Sequence, residues 1–344
     1  MTKLRPPWLA SLLLTGALCF VGAASPCAAE DLSAELKAAQ QFLDIGDFAH
    51  AYEEYLKLAQ TNPLAQFSLG LFHQFGWGRQ IDPVAACHWQ EKAAAGKIPA
   101  AQHFLAECLR HGIHRDTNLK AAAQWYDAAI RLGYIGSLCP LAELYIGGTG
   151  VPKNSGKGLA LCQQAAEKGV LSAQVRLGRF YVEEGEIRDY RKGLHWFNVA
   201  ANANSAEGQY NFARMLENGW GRAADIASAR NWYEASAGQG YLPAYLPAAR
   251  LYAQAPIDPA SGLLPASDLA KAYMWSAAAE KRLQGAEQSK ARTLLTKMLE
   301  LMPTTWRPDL DRKIAEHIER VTSFPNTLAA NIPERQTGAI FATP

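Results

Sequence analysis

Net charge is scarce in this chain. Its 34 lysines and arginines nearly balance 32 aspartates and glutamates, leaving +2 over 344 residues. Nucleic-acid binding needs a basic footprint and docking on anionic lipid needs a polybasic run. Neither is present, so no nucleic-acid partner is expected. Catalytic signatures are missing too: there is no G-x-S-x-G elbow, no P-loop, no dinucleotide fingerprint and no H-E-x-x-H. No catalysis, no cofactor and no metal site are therefore expected. Cysteine is sparse, six in all, and four remain after residue 29.

What is present begins with an address. Lys3 and Arg5 precede an apolar run from Trp8 to Ala24, and small residues close at Cys27-Ala28-Ala29. That reads as a secretory signal over residues 1–29, cut after Ala29. Gly16, Gly22 and Pro26 interrupt the run, against a retained anchor, and Leu18 and Pro26 stand where a lipidated cysteine wants a small neighbour. Export implies a periplasmic protein with no membrane span once the signal is removed. Removal takes two basic residues and leaves 32 of each sign.

The body of the chain is periodic. Small residues open successive units at Ala65, Ala101, Ser137, Ala173, Gly208 and Ala244, at intervals of 36, 36, 36, 35 and 36. A second register falls at Trp89, Trp125, Leu161, Trp196, Trp232 and Trp275, at 36, 36, 35, 36 and 43. Such a period marks stacked repeats. Each unit reads as a first helix carrying Leu-Gly or Leu-Ala, a glycine-rich turn such as Gly76-Trp77-Gly78, Gly148-Thr149-Gly150 or Gly219-Trp220-Gly221, and a second helix carrying the tryptophan. The tryptophans read as core anchors, worth about 3–5 kcal/mol each on truncation.

The pattern A-x-x-x-L-G-x-x-Y-x-x-G-x-G…K-A-x-x-W-Y-x-x-A-A-x-x-G resembles the Sel-one-like repeat family, itself similar to tetratricopeptide proteins. It departs at Gly112-Ile113-His114 and Gly185-Glu186-Ile187, which lack the second loop glycine, and at Leu161. The resemblance implies an all-α, right-handed solenoid of antiparallel helix pairs. Residues 30–62 are then an N-terminal capping pair, 63–283 six repeats, 284–322 C-terminal capping helices and 323–344 a flexible tail. It implies a non-catalytic adaptor, scaffold or regulator, in settings such as exopolysaccharide production and export or envelope signalling.

In such a solenoid the first helices line the concave face. The sixth position after each opening residue forms a row, Leu71, Glu107, Glu143, Arg179, Arg214 and Arg250, and the tenth a second, Phe75, His111, Gly147, Glu183, Asn218 and Gln254. Three successive arginines suit an extended anionic ligand or acidic peptide on a protein partner in the envelope. Against that, these charges pair with one another, as Glu183 would with Arg179. A carbohydrate- or peptidoglycan-binding module is the alternative, using Trp77, Phe75, Tyr210 and the arginines. Trp77 and Trp220 sit inside glycine turns and either pack on a neighbouring repeat or touch the partner. The loop from Pro256 to Pro265 lengthens the last unit.

Cys87 and Cys108 straddle the turn near Ile98 at 11 and 10 residues, which suits a bridge between repeats. Cys139 and Cys162 form a weaker second pair, and four buried thiols are the alternative. His103, Glu107 and His111 share one helical face, but positions eight apart lie about 12 Å apart and do not share an ion. His111 with His114 would bind weakly at most.

Overall fold

The computed structural model describes residues 32–323, Ser33 and Ser261 apart. The leader and the tail from residue 324 onward lie outside the described residues. Among these the chain is built of α-helices and short 3-10 turns, with no strand. Two short helices come first, α1 (Lys37–Asp44) and α2 (Phe48–Leu58). Pairs follow: α3 (Pro63–Phe75) with α4 (Pro83–Ala95), α5 (Pro99–His111) with α6 (Leu119–Arg131), and α7 (Leu138–Gly147) with α8 (Ser155–Glu167). After them come α9 (Leu171–Glu183), α10 (Tyr190–Asn202), α11 (Ala206–Asn218) and α12 (Ile226–Gly238). The last are α13 (Tyr245–Ala253), α14 (Ala266–Arg282), α15 (Gly285–Leu301) and α16 (Arg307–Ser323). Two compact units meet at residues 173 and 174, inside α9.

The first turn of the second helix is set by one residue in the five pairs from α3/α4 to α11/α12. Asp82, Asn118, Asn154, Asp189 and Asp225 are its N-caps, and each side chain accepts from a backbone N–H two or three residues on. A short Asx side chain satisfies donors that the first turn leaves orphaned. The same residues reach back to the first helix. Asp82 N donates to the His73 carbonyl at 2.9 Å, Asn118 N to Leu109 at 2.8 Å and Asp225 N to Leu216 at 3.0 Å. Cap and hairpin closure are thus one device, recurring at 36, 36, 35 and 36 residues.

Glycine has two jobs in the turn. Gly76, Gly148 and Gly219 end the first helix in the left-handed region, at φ 67°, 67° and 68°. The second glycine is also left-handed, but its neighbours matter more. A Cβ on Gly78 would lie 2.8 Å from Phe48, one on Gly150 2.4 Å from Leu119, and one on Gly221 2.5 Å from Tyr190. Those three residues begin the second helix of the preceding pair, so the second glycine is where one turn rests on its neighbour.

The tryptophans are not the deepest residues. Trp89, Trp125, Trp196 and Trp232 are half-buried and only Trp275 is buried, whereas the residue after each (Gln90, Tyr126, Phe197, Tyr233 and Ser276) is buried. The core anchor therefore falls one position later than the sequence pattern suggested. A side chain there points straight at the first helix, while the indole lies along its flank; at Gly178 a Cβ would meet the Phe197 ring at 2.7 Å.

In the first unit Phe67, Leu105, Leu109, Tyr126, Leu141 and Leu144 form one core. In the second, Phe212, Leu216, Tyr233, Tyr245, Tyr252 and Ile314 belong to another. The last part of the expected C-terminal cap, residues 284–322, is a full helix, α16. It is locked by His317, whose Nδ1 accepts from Arg320 at 3.1 Å. The ring proton then sits on Nε2 and is donated to the Tyr245 hydroxyl at 2.8 Å. The loop at 256–265 folds on itself, with Asp258 N donating to the Leu263 carbonyl at 2.9 Å while the Leu263 side chain stays exposed.

Candidate partner-binding surface

In the first unit the sequence-derived rows lie on α3, α5 and α7. Leu71 is buried, so the row opens apolar. Glu107 accepts from the Tyr126 hydroxyl of α6 at 2.5 Å and lies 3.2 Å from His111 Nε2. Burial alone would raise this carboxyl; the bond to His111, the His103 charge and the Tyr126 bond outweigh it and hold it down at about 2. Glu143 is ion-paired with Arg110 of the preceding repeat. Phe75 lies parallel to Trp77 at 5.5 Å, and Trp77 is also stacked on Phe48 at 6.3 Å.

In the second unit Arg179 lies 3.6 Å from Glu183, both about half exposed. The Arg214 guanidinium stands over Tyr210 at 5.7 Å and over Trp220 at 6.0 Å. Tyr210 rests on Tyr233 and Tyr241, and Trp220 on Tyr190 at 5.7 Å and 14°. Arg250 is ion-paired with Glu217 of the preceding repeat and donates to Gln254 at 3.2 Å. Asn218 is turned to its own helix, donating to the Arg214 carbonyl at 2.8 Å.

Sequence reasoning anticipated Arg179–Glu183 but missed the partners on neighbouring repeats. Arg110–Glu143 and Glu217–Arg250 are one rung with the charges exchanged, the ninth position of one first helix meeting the sixth of the next. The signal was there, since both pairs are 33 residues apart and of opposite sign. Tyr126 and Tyr233 brace the acidic members from the second helix, Tyr233 donating to Glu217 at 2.9 Å. A third regularity was also unread. Glutamine follows the opening residue, and Gln66, Gln102 and Gln209 donate to the carbonyls of Ala59, Ala94 and Ala201, which end the preceding helix.

Both cysteine pairs are joined, Cys87 to Cys108 with Cα atoms 5.9 Å apart and Cys139 to Cys162 at 4.3 Å. The first bridge ties α4 to α5 across a repeat boundary; the second joins α7 and α8 within one pair.

The family model of the Sel1 repeat matches residues 63–97, 99–134, 138–170, 171–205 and 206–241, just over half of the chain. The chain belongs to the Sel1 repeat family. Five repeats carry the sequence pattern, while α13 and α14 continue it as a helix pair with the inserted loop between them. Among relatives of this Sel1 repeat protein, an uncharacterized protein of Neisseria meningitidis serogroup B is 28% identical over 56% of this chain and 41% of its own. Chitin synthase regulatory factor 3 of Schizosaccharomyces pombe is 28% identical over 54% of this chain and 21% of its own. An exopolysaccharide production negative regulator of Rhizobium meliloti is 26% identical over 36% of this chain and 52% of its own. This chain thus spans about half the length of these relatives or less. A Sel1 repeat protein of Oxalobacter formigenes shares the fold, with TM-score 0.60 and 23% identity over 72% of this chain and all of that one. The architecture is an all-α solenoid of helix pairs.

Proposed function

We propose that this Sel1 repeat protein is a non-catalytic adaptor or regulator of the cell envelope that holds a protein partner on the surface of its first helices. The observation that carries the reading is the repeated rung. Arg110–Glu143 in the first unit and Glu217–Arg250 in the second each pair the ninth position of one first helix with the sixth of the next, which suits an extended chain read one repeat at a time. The carboxylates Glu107, Glu143 and Glu217 have fixed cationic or phenolic partners, an arrangement for holding a shape rather than for moving protons. Names of relatives support the regulatory part, since two of them are regulators of polysaccharide synthesis or production. Among the described residues no helix is long and apolar enough to cross a membrane, and two disulfides suit an oxidising compartment.

Arg179 and Arg214 are the arginines to test, because Arg250 is tied to Glu217. Arg179→Glu with Arg214→Glu is expected to abolish crosslinked capture of the protein partner from envelope extract, with an unchanged helical signal and a melting shift of only a few degrees. Capture at the wild-type level by the folded double variant would end the reading. The glycan alternative is weakened by the ring contacts of Trp77 and Trp220, each stacked on a neighbouring aromatic.

A further inference from the structure

His114 stands where the loop pattern has its second glycine. In three other turns that glycine rests on the start of the preceding second helix. Here the position carries an imidazole, and the imidazole is packed inward. Its side chain is 1% exposed. Nδ1 is buried with no hydrogen-bond partner. One ring nitrogen and the sulfur atoms of Cys87 and Cys108 all lie within 4.8 Å of one another. Among the described residues this is the one group of three or more His, Cys, Asp or Glu side chains placed to hold a metal ion.

We propose that Cys87, Cys108 and His114 form a thiol–disulfide centre whose reduced form binds one zinc-like divalent cation. This goes beyond the adaptor reading and does not depend on it. The bridge opens when a dithiol of the disulfide-reductase class delivers two electrons and two protons, leaving as its own disulfide. The ion then replaces the two thiol protons, which pass to solvent. Two thiolates and one imidazole are a borderline-soft donor set that leaves a fourth tetrahedral position for water. With metal–sulfur bonds of about 2.3 Å the two sulfurs sit roughly 3.8 Å apart. Rotating the two cysteine side chains reaches that separation while α4 and α5 stay packed.

The surroundings suit the ligand role. In the bridged state Arg115 Nε donates to His114 Nε2 at 2.8 Å, so the ring proton is on Nδ1, where nothing accepts it. On coordination through Nδ1 the proton moves to Nε2. Glu91 waits there at 3.7 Å, while Arg115, about half exposed, can swing away. A carboxylate behind a ligating histidine fixes its tautomer. The His88 ring stands edge-on to His114 at 5.4 Å and closes the outer side.

The test uses the whole mature chain, reduced with dithiothreitol, desalted without oxygen and titrated with Co²⁺ and then Zn²⁺. One equivalent of Co²⁺ is expected to produce thiolate charge-transfer absorption and tetrahedral ligand-field bands, and Zn²⁺ to abolish them. The unreduced chain should produce neither. His114→Ala should weaken binding by at least tenfold, whereas His111→Ala, at an exposed position nearby, should not. Cys139→Ser with Cys162→Ser should leave the spectrum intact. No charge-transfer band, a band indifferent to His114, or a reduced chain without helical signal would each overturn the proposal.

Discussion

His317 shows how much one side chain can decide. Burial, and then the Arg320 and Arg282 charges, push its pKa down to about 4 from the ordinary 6.5. The folded state therefore holds the proton less tightly than the unfolded chain does. Stability from this residue is complete above pH 6.5 and is lost progressively as pH falls toward 4, by about 2–3 kcal/mol in all. The charges that act on the ring are both guanidinium groups. Urea unfolding of the wild type against His317→Gln at pH 7, 5.5 and 4 should show the gap between them closing as the medium becomes acidic. Parallel loss by both proteins would mean that the imidazole is indifferent to its proton. Nothing local to His317 announces this role, because Tyr245 is 72 residues away in sequence.

At the scale of the element, the hairpin explains which parts of the fold were legible. Small residues, tryptophans and glycine turns recur because each helix pair solves the same packing problem, so the pair architecture could be read directly. The buried position beside each tryptophan could not. It is filled by Gln90, Tyr126, Phe197, Tyr233 and Ser276, with Cys162 in the same place beside Leu161; these share burial but no single side-chain type, and periodicity detects only what repeats in kind. The charged row was seen, but the partners of Glu143 and Arg250 were not, because each sits 33 residues off, on a neighbouring helix rather than its own. The second turn glycine meets both a backbone requirement and a contact requirement, and the two can be separated. Gly150→Ala forces a β-carbon to within 2.4 Å of Leu119 backbone at φ 75°, whereas Gly169→Ala meets nothing within 4 Å at φ 82°. The first should cost about 2–4 kcal/mol, strain plus overpacking, and the second about 1 kcal/mol. Equal losses in thermal unfolding would show that backbone strain alone selects glycine there.

For the molecule as a whole, the distribution of cross-links matters more than their number. Both disulfides lie between residues 87 and 162, inside the first compact unit, and the described part of the second unit contains no cysteine. Its end is closed by helices α15 and α16, with Ile314 and Met298 buried in the core they share with α13 and α14. In a repeat array each pair answers mainly to its neighbours, so stability is a sum of local terms and a local perturbation stays local. The bridges close loops of 21 and 23 residues, worth about 3 kcal/mol each by the chain-entropy argument. Reduction should thus lower the protection of amide hydrogens in α4 to α8 by several orders of magnitude, leaving α11 to α16 as slow to exchange as before. Denaturant unfolding should change with it, from one transition to two, with the early one belonging to the first unit. Equal loss of protection on both sides of residue 174 would show instead that the two units unfold as a single cooperative body, and the account of stability as a sum over neighbouring pairs would not hold for this chain.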